Sequence, residues 1–207
     1  MFFAKKVPIA VIFRKGPSPF TRMILWHTNS DTFEFGQWIK GTVKRATMSC
    51  DGKYIALKIY PEKPRKRSIW AHPAHICVSK PPYFSAIEVI ESAQPGRVLE
   101  FDWHGNLNVN AKKIKSYATN SCPLNRIAYN WIESFLATLG YSKGIAADHF
   151  MIDSSNGPAR GKDQRGRTIL IEKGCIYTID NGAPKLLLDT NDMQFEAIAP
   201  PPGTQDW

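Results

Sequence analysis

Along most of the chain, short runs of β-branched, aromatic and aliphatic residues alternate with turn-forming pairs that contain glycine. The clearest case is Gly36–Tyr60, in which two such runs, Thr42–Met48 and Tyr54–Ile59, flank the pair Asp51-Gly52. An Asp-Gly pair between two such runs favours a tight hairpin turn, because glycine accepts a positive φ without steric cost. This stretch therefore predicts a strand, a turn and a strand.

The same design returns in Arg97–Asn110 and in Gln164–Ile179. With Gly52, the turn glycines Gly105 and Gly166 recur 53 and 61 residues apart. Propeller blades repeat at about 40–50 residues, so this is a loose repeat. We predict a mainly β domain built from antiparallel hairpins, either a partial propeller-like array or a sandwich. A ring completed by a second subunit stays open, so a homo-oligomer is one alternative.

One segment has helical rather than strand periodicity. Pro123 suits the first position of a helix, and Gly140 suits its end. We therefore predict one inserted amphipathic helix near 123–139, packed on a sheet. The apolar positions that recur at helical spacing are Leu124, Ile127, Ala128, Trp131, Ile132, Phe135, Leu136 and Leu139.

A length of 207 residues, with 43% hydrophobic and 22% charged residues, is typical of a single globular domain. We divide it into a basic β-rich part (1–70), a β part (71–119), a helix and loop insert (120–160), and a β-hairpin with an irregular tail (161–207). No stretch approaches the ~20 apolar residues of a membrane span. The four cysteines lack the spacing of a disulfide framework or a zinc site. We expect a cytoplasmic protein with reduced thiols and no membrane partner.

The net charge of +9 is concentrated in the first third of the chain. Residues 1–70 carry fourteen Lys and Arg against four Asp and Glu, whereas residues 71–207 carry thirteen against fourteen. A basic surface that contains aromatic residues suits an anionic partner, although a solvated surface would show the same asymmetry. The candidate residues for binding nucleic acid or a partner protein are Arg14, Lys15, Trp38, Lys40, Lys44, Arg45, Arg65, Lys66, Arg67 and Trp70.

Three functional hypotheses follow. The first is a non-enzymatic binding module whose basic face engages nucleic acid or an acidic protein partner. The second is an enzyme or receptor for a phosphorylated, nucleotide-like molecule, which would use Arg14–Ser18 for phosphate and His72, His75 or His149 for acid–base chemistry. The third is a subunit whose basic face is buried in a larger complex. No catalytic, metal-ligating or cofactor motif has the required spacing, so we predict no catalytic residue, no metal and no cofactor, while enzymatic activity stays open.

A series of motifs runs through the chain: RKGPS (14–18), DTFEFGQWIKG (31–41), SCDGKYIA (49–56), SKPPYFSAI (79–87), KDQRGRTILIEKGCIY (162–177) and LLLDTNDMQFEAIAP (186–200). In these motifs the chain resembles a family of uncharacterised bacterial proteins, a resemblance that implies no activity. The DGKY turn also resembles the hairpins of TolB-like and WD-type propeller repeats. That resemblance implies hairpin-based β units, although the chain has no WD dipeptide.

Overall fold

The structure, a computed structural model, describes residues 1–60, 75–92, 99–102, 104–109, 111–116, 126–128, 152, 157–204 and 206. The described residues form sixteen β-strands and no helix, which confirms the prediction of a mainly β fold. The strands are β1 (Phe2–Phe3), β2 (Ile9–Lys15), β3 (Phe20–His27), β4 (Thr32–Lys40), β5 (Thr42–Met48), β6 (Ile55–Tyr60), β7 (His75–Ser79), β8 (Ala86–Ser92), β9 (Leu99–Phe101), β10 (Leu107–Val109), β11 (Ala111–Ser116), β12 (Arg126–Ala128), β13 (Ala159–Lys162), β14 (Thr168–Glu172), β15 (Cys175–Asp180) and β16 (Ala183–Asp189).

These strands form four sheets, which we number I to IV. Sheet I has the order β1-β2-β3-β4, sheet II the order β11-β8-β7-β6-β5, sheet III the order β12-β10-β9, and sheet IV the order β13-β14-β15-β16. All pairings are antiparallel except that of β10 with β12. Most neighbouring strands are also consecutive in the chain, as expected for sheets built from hairpins.

Sheet I is covered on both faces, which explains why β2 and β3 are apolar at successive positions. Alternate residues of a strand point to opposite faces. One face packs on sheet IV through Ala10, Ile12, Ile24 and Trp26, against Ile169, Ile176 and Leu188. The other face packs on sheet II through Val11, Met23 and Leu25, against Ala46, Met48, Ile55 and Leu57.

A third apolar cluster joins sheets II and III. It is formed by Ala56, Ile76, Val78 and Ile90 of sheet II with Phe101, Leu107 and Val109 of sheet III. The sheets therefore stack in the order IV, I, II, III, so that the N-terminal and C-terminal sheets pack on each other. A closed propeller ring is not present among the described residues.

The predicted hairpin at Asp51-Gly52 is confirmed as the β5–β6 hairpin, but its connection is longer than the tight turn we expected. It spans Ser49–Tyr54, and only Gly52, at φ 73°, has a positive φ. The Ser49 Oγ accepts the Tyr54 N–H at 2.9 Å and donates to Asp51 Oδ1 at 2.7 Å. A side-chain hydroxyl that satisfies backbone donors stabilises the longer connection.

The turns marked by Gly105 and Gly166 are related but one residue shorter, and they connect the first two strands of sheets III and IV. Asp102 Oδ1 accepts the backbone N–H groups of His104 and Asn106 at 2.8 and 2.9 Å. Asp163 Oδ1 accepts those of Arg165 and Arg167, both at 2.9 Å. The loose repeat of turn glycines therefore marks related turns on three successive sheets.

The predicted helix near 123–139 needs a correction. Arg126–Ala128 forms strand β12, which pairs in parallel with β10. Pairing with a neighbouring strand overrides a local helical pattern, because propensity is a weak preference that tertiary contacts outweigh. The rest of 123–139 lies outside the described residues. No helix in the described part of the chain is long and apolar enough to cross a membrane.

Candidate binding surface

The structure divides the predicted binding residues between two sheets. In the strand register of sheet I, Arg14 lies opposite Arg22, and Arg22 lies opposite Trp38. Lys40 lies opposite Phe20. Arg14, Trp38 and Lys40 therefore belong to the same face of sheet I, the face that packs on sheet IV. Lys15 is exposed but alternates to the opposite face. Arg65, Lys66, Arg67 and Trp70 lie outside the described residues.

Arg45 lies elsewhere. It is exposed on β5 and shares a face with Thr47, whose Oγ1 accepts the Phe101 N–H from sheet III at 3.1 Å. Arg45 thus lies on the side of sheet II that is turned away from sheet I. Because packed sheets are about 10 Å apart, Arg45 does not converge with Arg14 and Lys40. At Lys44 the register of β5 shifts, and only its backbone is described.

The central residue of the surface is Arg22, which is not among the binding residues predicted from the sequence. It is only 8% exposed, and its guanidinium lies over the rings of Phe35 and Trp38, 5.2 and 5.4 Å from their centroids. Its Nε donates to the Gly36 carbonyl at 3.1 Å. Cation–π contacts and this hydrogen bond hold the guanidinium in place.

A bulge in β4 brings the two rings to the same side. The β3–β4 register shifts between Arg22 and Ile24, so that Phe35 and Trp38 both face Arg22 although they are three positions apart. Gly36 lies at this bulge, and a Cβ there would be 1.9 Å from the Pro82 carbonyl oxygen. A side chain at position 36 would therefore push apart two segments of the backbone.

The C-terminal tail, residues 191–204, crosses this surface. Phe195 stacks on Phe20 with 4.2 Å between ring centroids and is tilted against Trp38 at 6.2 Å. Gln37 Nε2 donates to the Ile198 carbonyl at 3.0 Å. We call Phe20, Arg22, Phe35, Gln37 and Trp38 the tail-binding face.

One carboxylate of the tail reaches the buried arginine. Glu196 Oε2 is 3.7 Å from Arg22 Nη2, and the Glu196 side chain is 70% exposed. Burial lowers the pKa of Arg22, and the charge of Glu196 opposes this shift. Because an arginine stays protonated, the surface holds a desolvated cation whose single carboxylate partner among the described residues is distant.

A second arginine, Arg167 of sheet IV, locks the terminal sheets together. Its guanidinium donates to both carboxylate oxygens of Asp31, at 2.7 and 2.9 Å, and to Asp163 Oδ2 at 2.7 Å. It also lies 5.8 Å from the centroid of the Trp26 ring. The hydrogen bond from Arg167 is the main cause of a lowered pKa at Asp31. We call Asp31, Asp163 and Arg167 the sheet I–IV lock.

Two of the residues in the Arg14–Ser18 segment, Arg14 and Gly16, use donors within the protein. The Gly16 N–H donates to the Phe20 carbonyl at 2.8 Å. Arg14 donates through Nε to the Thr190 carbonyl at 3.1 Å and through Nη1 to the Lys15 carbonyl. Phosphate binding by this segment stays a prediction, and no feature of the described geometry adds support to it.

The described residues contain no group of three or more His, Cys, Asp or Glu side chains that could hold a metal ion. His72 and His149 lie outside the described residues, and His75 begins β7. Cys50, Cys77 and Cys175 are free thiols, and burial raises the pKa of Cys77 to about 11.

The hairpin-based sheets implied by the resemblance to propeller repeats are present, and membership of the bacterial family stays a prediction. Comparison with protein-family models, with curated proteins and with solved structures finds no match to this chain.

Proposed function

We propose that this protein is a non-enzymatic interaction module that binds an acidic segment of a partner protein at the tail-binding face. Arg22 would supply the buried cation and Trp38 the aromatic anchor. Arg14 and Lys40 would supply charge at the edge of the face. The observation that carries the proposal is the position of Arg22, which is desolvated between two aromatic rings and has only an exposed carboxylate as its ionic partner in the described structure.

An acidic protein fits this surface better than nucleic acid does. Binding along a nucleic-acid backbone needs a continuous track of cations that neutralise successive phosphates. Here Lys15 and Arg45 lie on faces different from that of Lys40. One buried arginine beside aromatic rings instead suits a single carboxylate, since guanidinium and carboxylate geometries match.

We further propose that sheets I to IV are propeller-like blades. Two features support this arrangement: a related turn recurs in the first hairpin of sheets II, III and IV, and the terminal sheets pack on each other as they do when a ring closes. An experimentally determined structure that placed sheet III far from sheet IV, with no intervening unit, would contradict the proposal.

Binding can be tested with a fluorescent oligo-glutamate peptide and a labelled oligo-thymidine. We expect the acidic peptide to bind at low ionic strength. Its affinity should fall as the salt concentration rises, because salt screens exposed charges. Lys40→Glu should weaken binding about tenfold. Lys185→Glu, an exposed site on β16, provides the same charge change on another sheet.

Three results would count against the proposal: failure of the acidic peptide to bind at low salt even when Phe195 and Glu196 of the tail are replaced by alanine, equal losses from Lys40→Glu and Lys185→Glu, or binding of oligo-thymidine alone. The last result would support the nucleic-acid hypothesis in its place.

A further inference from the structure

We infer that the tail-binding face recognises an extended peptide in which an aromatic residue is followed by an acidic one, and that the protein's own tail occupies the face as a replaceable ligand. This inference rests on the proposed function and specifies its partner. The partner would present an aromatic–acidic dipeptide, as Phe195-Glu196 does, and would compete with the tail.

The tail provides three contacts that together define a recognition pattern. Phe195 stacks on Phe20, Glu196 approaches Arg22, and the carbonyl of Ile198 accepts a hydrogen bond from Gln37. Two of these contacts involve side chains of the tail, and one involves its backbone. The recognition pattern is therefore an aromatic residue, an acidic residue, any residue, and a fourth residue whose backbone carbonyl accepts a hydrogen bond.

Contacts within sheet I and with the segment before β8 hold the side chains of the face in place. Gln37 donates its backbone N–H to the Pro82 carbonyl at 3.1 Å, and its Oε1 accepts the Phe84 N–H at 2.8 Å. These bonds leave Nε2 directed at the peptide. Arg22 is likewise held by Gly36 and two rings. A preorganised surface loses little conformational entropy when it binds, which favours recognition of a segment from another protein.

The tail uses this face incompletely. Phe195 is 47% exposed although its ring is stacked, and Glu196 stays 3.7 Å from Arg22. The Trp38 indole Nε1 is buried and has no hydrogen-bond acceptor among the described residues. A peptide with a closer carboxylate and an acceptor for this N–H would therefore bind better than the tail.

The tail and the surface on which it lies also carry opposite charges. Residues 189–207 contain the acidic residues Asp189, Asp192, Glu196 and Asp206 and no lysine or arginine, whereas the tail-binding face contains Arg22 and has Arg14 and Lys40 at its edge, on the same side of sheet I. Oppositely charged partners associate faster and suppress wrong pairings.

Because the tail competes with any added peptide, the experiment needs a variant in which the tail no longer binds the face. A segment tethered to its own site has an effective concentration of about millimolar, so it masks the site from dilute peptide. The probe is a fluorescent peptide with the sequence of residues 190–201, TNDMQFEAIAPP. The receptors are the natural full-length protein and a full-length Phe195→Ala/Glu196→Ala variant whose tail cannot occupy the face.

We expect the peptide to bind the tail variant at least about tenfold more tightly than the natural protein. The same peptide with alanine at the Phe195 and Glu196 positions is the matched control, and it should not bind. Trp38→Phe, added to the tail variant, keeps most of the ring and should reduce binding modestly, whereas Arg22→Gln should abolish it. Far-ultraviolet circular dichroism would verify that each variant is folded.

If the peptide binds the natural protein and the tail variant equally, or if the alanine peptide binds as well as the natural sequence, the inference is wrong. If oligo-glutamate binds but the tail peptide does not, this inference fails while the proposed function stands. If neither binds, both fail.

Discussion

Arg22 and Arg167 have the same two kinds of neighbour and yet form very different sites. Each lies against a tryptophan ring and near a carboxylate on another segment. Arg167 meets two carboxylates through hydrogen bonds of 2.7–2.9 Å. Arg22, which is more deeply buried, has one carboxylate in the described structure at 3.7 Å.

The difference teaches how to tell a structural ion pair from a binding site. The charge of Arg167 is compensated within the protein, because its hydrogen bonds to Asp31 and Asp163 raise the pKa of the guanidinium. Burial lowers the pKa of Arg22, because its environment does not compensate for the loss of water. A compensated cation stabilises a fold, whereas an incompletely compensated one has affinity left for a partner.

Removing the lock should have the largest effect on stability. Asp163→Ala removes two backbone hydrogen bonds and the bond from Arg167, so we expect the free energy of unfolding to fall by about 3 kcal/mol. Asp102→Ala is the matched control, because Asp102 forms the same turn but is less buried and accepts its side-chain hydrogen bond from the neutral Asn106, and we expect a loss of about 1 kcal/mol. Urea denaturation measures both. Equal losses would show that the turn, and not the lock, stabilises sheet IV.

The lock should also be sensitive to acid. Asp31→Asn should cost about 2 kcal/mol at pH 7, because hydrogen bonds between charged groups are replaced by weaker ones. The folded-state pKa of Asp31 is lowered, so its contribution is present above its unfolded pKa of about 3.9 and is lost as pH falls through the folded value. The difference in free energy of unfolding between the natural protein and Asp31→Asn should therefore shrink below about pH 4. Urea denaturation from neutral to acid pH would contradict this if the difference stayed constant.

The tail should contribute least to stability. Phe195→Ala removes a half-exposed stacked ring and should cost about 1 kcal/mol. Glu196→Gln removes only a long, exposed ion pair and should cost less than about 0.5 kcal/mol. Thermal unfolding would measure both. If Glu196→Gln lowered stability as much as Asp31→Asn does, the ion pair of Arg22 with the tail would be structural, and Arg22 would not differ from Arg167 in this respect.

Local signals in the sequence were enough to predict much of the fold. The runs Thr42–Met48 and Tyr54–Ile59 identified β5 and β6, and the turn glycines Gly52, Gly105 and Gly166 all have a positive φ. Strand β13 was missed because the sequence ARGK has no apolar alternation, and its place is set by pairing with β14. The helix was predicted where β12 is found because helical spacing cannot report which strand lies alongside.

The candidate site was less predictable. The sequence pointed to Trp38, Arg14 and Lys40, which share a face, but it also pointed to Arg45, which lies on the far side of sheet II. It gave no signal for Arg22, an ordinary cation within an apolar strand. The tail was regarded as an irregular end, although Phe195 and Glu196 reach the same surface from more than 150 residues along the chain.

The sequence by itself determined most of the strands and turns and the excess of positive charge in the first third, since these depend on neighbouring residues and on the φ that glycine permits. Only the tertiary structure decided which of those charges act together. The β4 bulge reverses the alternation between Phe35 and Trp38, and the stacking of sheet I between sheets II and IV buries Arg22. Register and sheet packing are long-range properties, and a shift of one residue moves a side chain to the other face.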